Sequence, residues 1–182
     1  MVKYYYDTGV FGYFLFREDW EHQYSPTKVS AYMSVFCDEE LIYAHMNGKF
    51  KEWGVNVSFV EISEKILNIG SIFQPHDTNL SDIRAKFIHM MGSLAQNNVD
   101  IRADFVEYQQ KQNRGAPKPL DGMDWLHLAV ADILGCEVIL TRDNGFNYLS
   151  KIGRYLRLEK VRKAFVFSSK DKMEKIDEVR IG

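Results

Sequence analysis

GMDWLHLAVADIL, residues 122–134, runs into Gly135, then into EVILT at 137–141 and on through TRDNGF at 141–146. The apolar residues of the first segment recur at helical spacing, and Gly135 stands where a helix ends on a left-handed residue. Asp121 reads as the N-cap of this helix, with Asp124 at its third position accepting in the capping sense. EVILT is short, apolar and β-branched, as a strand buried on both faces must be. A carboxylate, Asp143, follows it directly, and residues 144–151 turn into another short helix.

The same grammar extends outward. Residues 2–6, VKYYY, read as an aromatic strand ending on Asp7, and residues 8–16 begin a helix. EDWEHQYSPTK is a polar connection with Pro26 as a breaker. Residues 29–46 carry apolar positions at helical spacing and read as one long helix. VNVSFV at 55–60 reads as a second strand, continued by a helix through EISEKILNIGSIF. Two further helices are expected at about 80–95 and 99–112, before the Pro- and Gly-rich loop NRGAPKPLDG. KAFVF at 163–167 reads as the last strand. Strands alternating with helices predict an α/β fold, three layers deep (α/β/α) around a central, mostly parallel sheet, with the Asp7 and Asp143 strands as close neighbours.

At 182 residues the chain fits a single domain, 1–182. A hydrophobic fraction of 46% suffices for a core, and a net charge of −2 argues against a global basic field. The charge is uneven. Ser150 to Gly182 holds ten Lys/Arg against five Asp/Glu, a local +5 that leaves −7 for the remainder. That tail is either solvated surface or a phosphate-binding patch. Cys37 and Cys136 lack C-x-x-C spacing and read as buried thiols in a reducing compartment. His22, His45, His76, His89 and His127 show no ligand spacing and read as surface or core residues. The apolar run VFGYFLF is too short to span a bilayer and carries no cleavage site, so a cytoplasmic protein without a membrane partner is expected.

Strand order places four carboxylates at one rim. Sites in open parallel sheets lie at the carboxyl ends of strands. Asp7 and Asp143 follow strands, Glu61 follows VNVSFV, and Asp124 lies in the first turn of the helix that feeds EVILT. Taken singly, each has an ordinary reading: an Asx turn at Asp7, a turn former at Asp143, a helix first-turn acid at Glu61, a capping residue at Asp124. Taken together, like charges at close range repel unless a cation intervenes, and Mg²⁺ or Mn²⁺ prefers such oxygen ligands.

DTGVF after the first strand, SFVEI, DWLHLAVADILG and VILTRDNGF together resemble the four acidic motifs of the PIN-domain nucleases. The third and fourth carry the resemblance: Asp124, then His127-Leu128-Ala129-Val130-Ala131, Gly135, Val138-Ile139-Leu140, Thr141-Arg142-Asp143 and Phe146. For the second motif Glu39 and Glu40 compete with Glu61, which stands farther from Asp7 than in compact family members. The motifs cover about half the chain, leaving helical insertions around 17–54 and 71–117 that make it longer than a minimal toxin-type member.

The resemblance implies Mg²⁺- or Mn²⁺-dependent hydrolysis of phosphodiesters in single-stranded RNA. Asp7, Asp124 and Asp143 would be the primary ligands, and Glu61 a further ligand or a holder of water. Asp121, Thr141 and Asn144 would support them by hydrogen bonds. It also implies a homodimer and, for toxin-type members, a small antitoxin-like protein partner. Three other readings stand beside it. Asp7-Thr8-Gly9 is the short aspartic-protease signature, but that needs an all-β scaffold and a second such loop or a symmetric dimer. An Asp-nucleophile phosphohydrolase needs D-x-D, and position 9 is glycine. A PIN-like fold kept as an RNA-binding or assembly module, with little or no cleavage, is compatible with the same residues.

Overall fold

The computed structural model describes residues 1–52, 55–68, 73–75, 78–102, 105–106, 119–167 and 173–182. In chain order they form β1 (Lys3–Tyr6), α1 (Thr8–Arg17), β2 (Ser30–Met33), α2 (Val35–Met46), α3 (Lys49–Glu52), α4 (Phe59–Leu67), β3 (Gln74–Pro75), α5 (Leu80–Gln96) and α6 (Gly122–Ile133). Then follow β4 (Val138–Thr141), a 3-10 turn (Asn144–Tyr148), α7 (Leu149–Ile152), a second 3-10 turn (Gly153–Tyr155), β5 (Lys163–Phe167) and β6 (Ile176–Arg180).

The described strands make a six-stranded sheet in the order β3-β2-β1-β4-β5-β6. It is parallel throughout except for the edge pair β5–β6. The chain builds outward from β1 on one side through β2 and β3, then returns to β4 on the other side and continues to β5. β1 and β4 are therefore neighbours across the point where the strand order reverses, with Tyr5 opposite Ile139 and Tyr6 opposite Leu140. Crevices between carboxyl ends at such a point are where open α/β sheets place their sites.

Alternation of side chains sorts the core into two layers. Tyr5, Tyr32, Ile139, Ala164 and Val166 face the layer built from α5, α6 and α7. Tyr6, Ala31, Met33, Leu140, Phe165 and Phe167 face that of α1, α2 and α4. This is the α/β/α arrangement the sequence predicts. β4 is buried at every position, because a central strand covered on both faces has no solvent side. Cys37 and Cys136 are buried free thiols, as expected. Among the described residues, no helix is long and apolar enough to cross a membrane.

Several elements differ from expectation. The single helix over 29–46 is β2 followed by α2, broken at Ser34, whose backbone is extended (φ −125°, ψ 165°). SAYM packs on both faces of the sheet, and a short run apolar on all sides carries no period that separates strand from helix. The strand at 55–60 is absent: residues 55–58 are outside any strand and α4 starts at Phe59. The cause was visible as Ser58-Phe59-Val60-Glu61, a capping box in which Ser58 and Glu61 satisfy each other's backbone N–H groups. β3 and β6 were not expected. β6 alternates buried Val179 with exposed Glu178 and Arg180, the pattern of a charged edge strand. The expected helix at 99–112 and the loop at 113–122 lie largely outside the described residues.

Candidate active site

Asp7 ends β1 and begins α1. Its backbone N–H donates to Leu140 O at 3.0 Å, which carries the β1–β4 pairing one residue past the strand. Its carboxylate accepts from Val10 N–H at 3.0 Å as the N-cap of α1. One carboxylate thus terminates a strand, caps a helix and stands at the switch point. Fully buried Thr141 ends β4: its hydroxyl bonds to the Asp7 carboxylate, and its Oγ1 accepts from Asp143 N–H at 2.9 Å. Asp143 in turn caps the following 3-10 turn through Gly145 N–H at 2.6 Å. Asp124 and Asp121 form the expected capping box at the start of α6. Asp121 N–H donates to Asp124 Oδ2 at 2.8 Å, and Asp121 Oδ1 accepts from Met123 and Asp124.

Asp7, Asp124 and Asp143 act on one another electrically. Burial pushes the Asp7 carboxyl up to about 6, with Asp143 adding to the rise and the hydrogen bonds from Thr141 and Val10 opposing it. Burial pushes Asp124 up to about 7; the bond from Asp121 N–H opposes the rise, and the charges of Asp143, Asp121 and Asp7 add to it. Two buried carboxyls whose ionisation burial and a neighbouring acid both oppose are relieved by a proton or by a cation. Among the described residues, no three His, Cys, Asp or Glu side chains are gathered closely enough to hold one ion. An all-oxygen, mutually repelling set suits Mg²⁺ or Mn²⁺ in chemistry.

These shifts set a pH dependence. Both folded-state values lie above the unfolded value of about 4. Their stabilising contribution is therefore complete below about pH 4 and is lost as pH rises through about 6 and 7. In chelator-treated protein, denaturation midpoints at fixed temperature should fall across that window, by on the order of 3 kcal/mol from Asp7 alone. Asp124→Asn should flatten the slope, and an unchanged slope in that variant would refute the assignment.

Glu61 lies in the first turn of α4. Its carboxylate is exposed and accepts from Ser58 N–H at 2.7 Å and Ser58 Oγ at 2.8 Å, which holds it below the usual range. It caps a helix and follows no strand. The competing Glu40 is the better placed. Thr8, adjacent to Asp7, donates its hydroxyl to Glu40 Oε2, and His127, one turn from Asp124 on α6, bonds to the same oxygen at 2.7 Å. Burial pushes the Glu40 carboxyl up, but the bonds to His127 and Thr8 outweigh it and hold it below the ordinary range. Glu39 is exposed. The sequence reading takes His127 as a surface or core residue and as part of the third motif; its spacing of three from Asp124, which puts both on one helix face, is the signal for a role beside the acids.

Asn144 is exposed, and its part in supporting the cluster remains an expectation. The basic tail divides. β5 runs parallel to β4, and Arg180 pairs in register with Lys163, so Arg162, Lys163 and Arg180 lie at the amino end of β5, opposite the carboxylates. They are placed to solvate the far edge of the sheet, and Lys163 also pairs with Glu178 at 3.6 Å. No family model, curated protein or solved structure matches the chain. The sheet order defines it as a three-layer α/β/α protein, with Asp7 at the end of β1 and Asp143 just past β4 at the topological switch point.

Proposed function

We propose that the chain is a divalent-metal-dependent endoribonuclease of the PIN type that hydrolyses phosphodiester bonds in single-stranded RNA. The observation that carries this reading is the trio Asp7, Asp124 and Asp143 beside the carboxyl ends of β1 and β4, where burial raises the proton affinity of Asp7 and Asp124 and the charge of Asp143 adds to both. The motif spacing from Asp124 to Phe146 supports it. Asp7, Asp124 and Asp143 would hold Mg²⁺ or Mn²⁺, with Glu40 in place of Glu61 as the fourth acid. When bound, such an ion supplies Lewis-acid activation of water and neutralises phosphate charge. The chain's own part is to present a concentrated negative field, to keep Asp7 and Asp143 in register through Thr141, and to position Glu40 through Thr8 and His127.

Calorimetric titration with Mn²⁺ tests the assignment. Glu40→Gln should weaken binding by about 10-fold or more, while Glu61→Gln should leave it near wild type. The reverse ranking would restore Glu61, and no heat in the wild type would remove the metal. A second reading, an RNA-binding module without turnover, rests on the same residues. It predicts salt-sensitive RNA binding with no cleavage at any Mn²⁺ concentration.

The homodimer and antitoxin-like partner that the resemblance implies would use exposed apolar surface. Val35, Tyr43 and Met46 on α2 and Phe59, Val60 and Leu67 on α4 are all exposed. Light scattering at high protein concentration should give twice the 21.2 kDa chain mass. A monomer would count against self-association.

A further inference from the structure

Behind Glu40 runs a continuous chain of buried polar groups that the metal reading leaves unused. The Tyr5 hydroxyl on β1 lies 2.8 Å from Ser34 Oγ and 2.6 Å from His127 Nδ1. His127 Nε2 lies 2.7 Å from Glu40 Oε2, which Thr8 also reaches. Tyr5 is fully buried, and Ser34 and His127 are each 2% exposed, so water does not supply alternative partners.

The polarity of the chain follows from its ends. An ionised carboxylate only accepts, so His127 Nε2 and Thr8 Oγ1 both donate to Glu40. A neutral imidazole that donates through Nε2 leaves Nδ1 a bare acceptor. The Tyr5 hydroxyl, which burial and the neighbouring Cys37 keep protonated, is the donor in reach of it. Ser34 can then donate to Tyr5 Oη. Every member has a partner, the condition under which a buried polar network rigidifies a site.

We infer that Tyr5 and His127 are positioning residues for Glu40: the Tyr5 hydroxyl fixes the imidazole proton on Nε2, and Nε2–H holds the Glu40 carboxylate beside Thr8 and Asp7. This rests on the proposed function only in making Glu40 part of the acidic site. The outer hydrogen bond of a ligand-bearing histidine sets its tautomer and orientation, and here the same device acts one step back from a carboxylate.

The test combines a spectroscopic readout with metal affinity. Side-chain ¹⁵N NMR of the wild type near neutral pH should show His127 protonated on Nε2 and bare on Nδ1, and Tyr5→Phe should mix the tautomers. A proton on Nδ1 in the wild type, in the other tautomer or in the imidazolium, would overturn the inference without recourse to any variant. His127→Gln retains a donor at the Nε2 position, whereas His127→Asn reaches Tyr5 but not Glu40. Mn²⁺ affinity by calorimetry should fall about 10- to 100-fold in His127→Asn and stay close to wild type in His127→Gln. Equal losses in both, with both folded by thermal denaturation, or no loss in His127→Asn, would also overturn it. A wild type that binds no Mn²⁺ would overturn the metal reading instead, and the NMR result would still decide the pair.

Discussion

Asp124→Asn should lower the rate of single-stranded RNA cleavage in Mg²⁺ or Mn²⁺ by at least about 10²-fold, and EDTA should abolish cleavage by the wild type. The reason is electrostatic. Ionised carboxylates grouped here would present a field that repels a phosphodiester until a cation reverses it. Removing one charge weakens both the hold on the cation and the stabilisation of charge developing on phosphate. The substitution is nearly silent for the fold, because an Asn oxygen can still accept from Asp121 N–H, which now lies 2.8 Å from Asp124. The metal-free variant should in fact be the more stable protein above pH 7, since its neighbours lose a like charge. A labelled RNA panel incubated with both proteins decides it. Equal cleavage by the two would point to a contaminating nuclease. No cleavage by either, with RNA binding intact, would favour the binding module.

The largest stability loss is expected at a carboxylate outside the site. Asp132, 4% exposed near the end of α6, accepts from Glu159 N–H at 2.9 Å, Lys160 N–H at 2.7 Å and Val161 N–H at 3.0 Å, and it is ion-paired with Lys86 of α5. It ties two helices' layer to the loop that launches β5. Asp132→Ala strands three amides and an ammonium in a largely buried place, so a cost of about 3–5 kcal/mol is expected by denaturant unfolding. A loss below about 1 kcal/mol would show that water replaces the carboxylate. Burial pushes the Asp132 carboxyl up, but Lys86 and the three amides outweigh it and hold it below its usual range. Its stabilisation is present above the unfolded value near 4 and is lost as pH falls through the folded one. Asp132 and the Asp7–Asp124 pair thus give slopes of opposite sign. Unfolding measured from pH 3 to 8 separates a structural acid from acids whose ionised forms the fold does not stabilise.

The two sets of carboxylates also show why a list of acids in a sequence is not a site. Asp132 lies in the same helix as Asp124, eight residues on, yet its lone pairs are consumed by backbone donors. Glu61 is consumed by Ser58. Both are satisfied locally or by the fold. Asp7 and Asp124 also cap helices, but each keeps a raised proton affinity because burial strips water from its charged form, with nearby acids adding to the rise.

The sequence by itself determined the elements with short-range signals: β1 ending on Asp7, α6 with its Asp121–Asp124 cap, the Gly135 stop at φ +74°, and β4 running into Asp143. From these, strand order alone brought Asp7 and Asp143 to neighbouring strand ends. The capping box at Ser58–Glu61 was equally local and, weighed against the β-branched run VNVSFV, should have moved the start of α4. Tertiary structure decided the rest. β2 is a strand because SAYM is buried from both sides of the sheet, a condition no periodicity within four residues records. Glu40 meets Thr8, 32 residues away, and His127, 87 residues away, because α2 packs against α1. Such partners are chosen by which helix covers which strand end, and that choice is made by burying two apolar layers against one sheet, not by any neighbour in the chain.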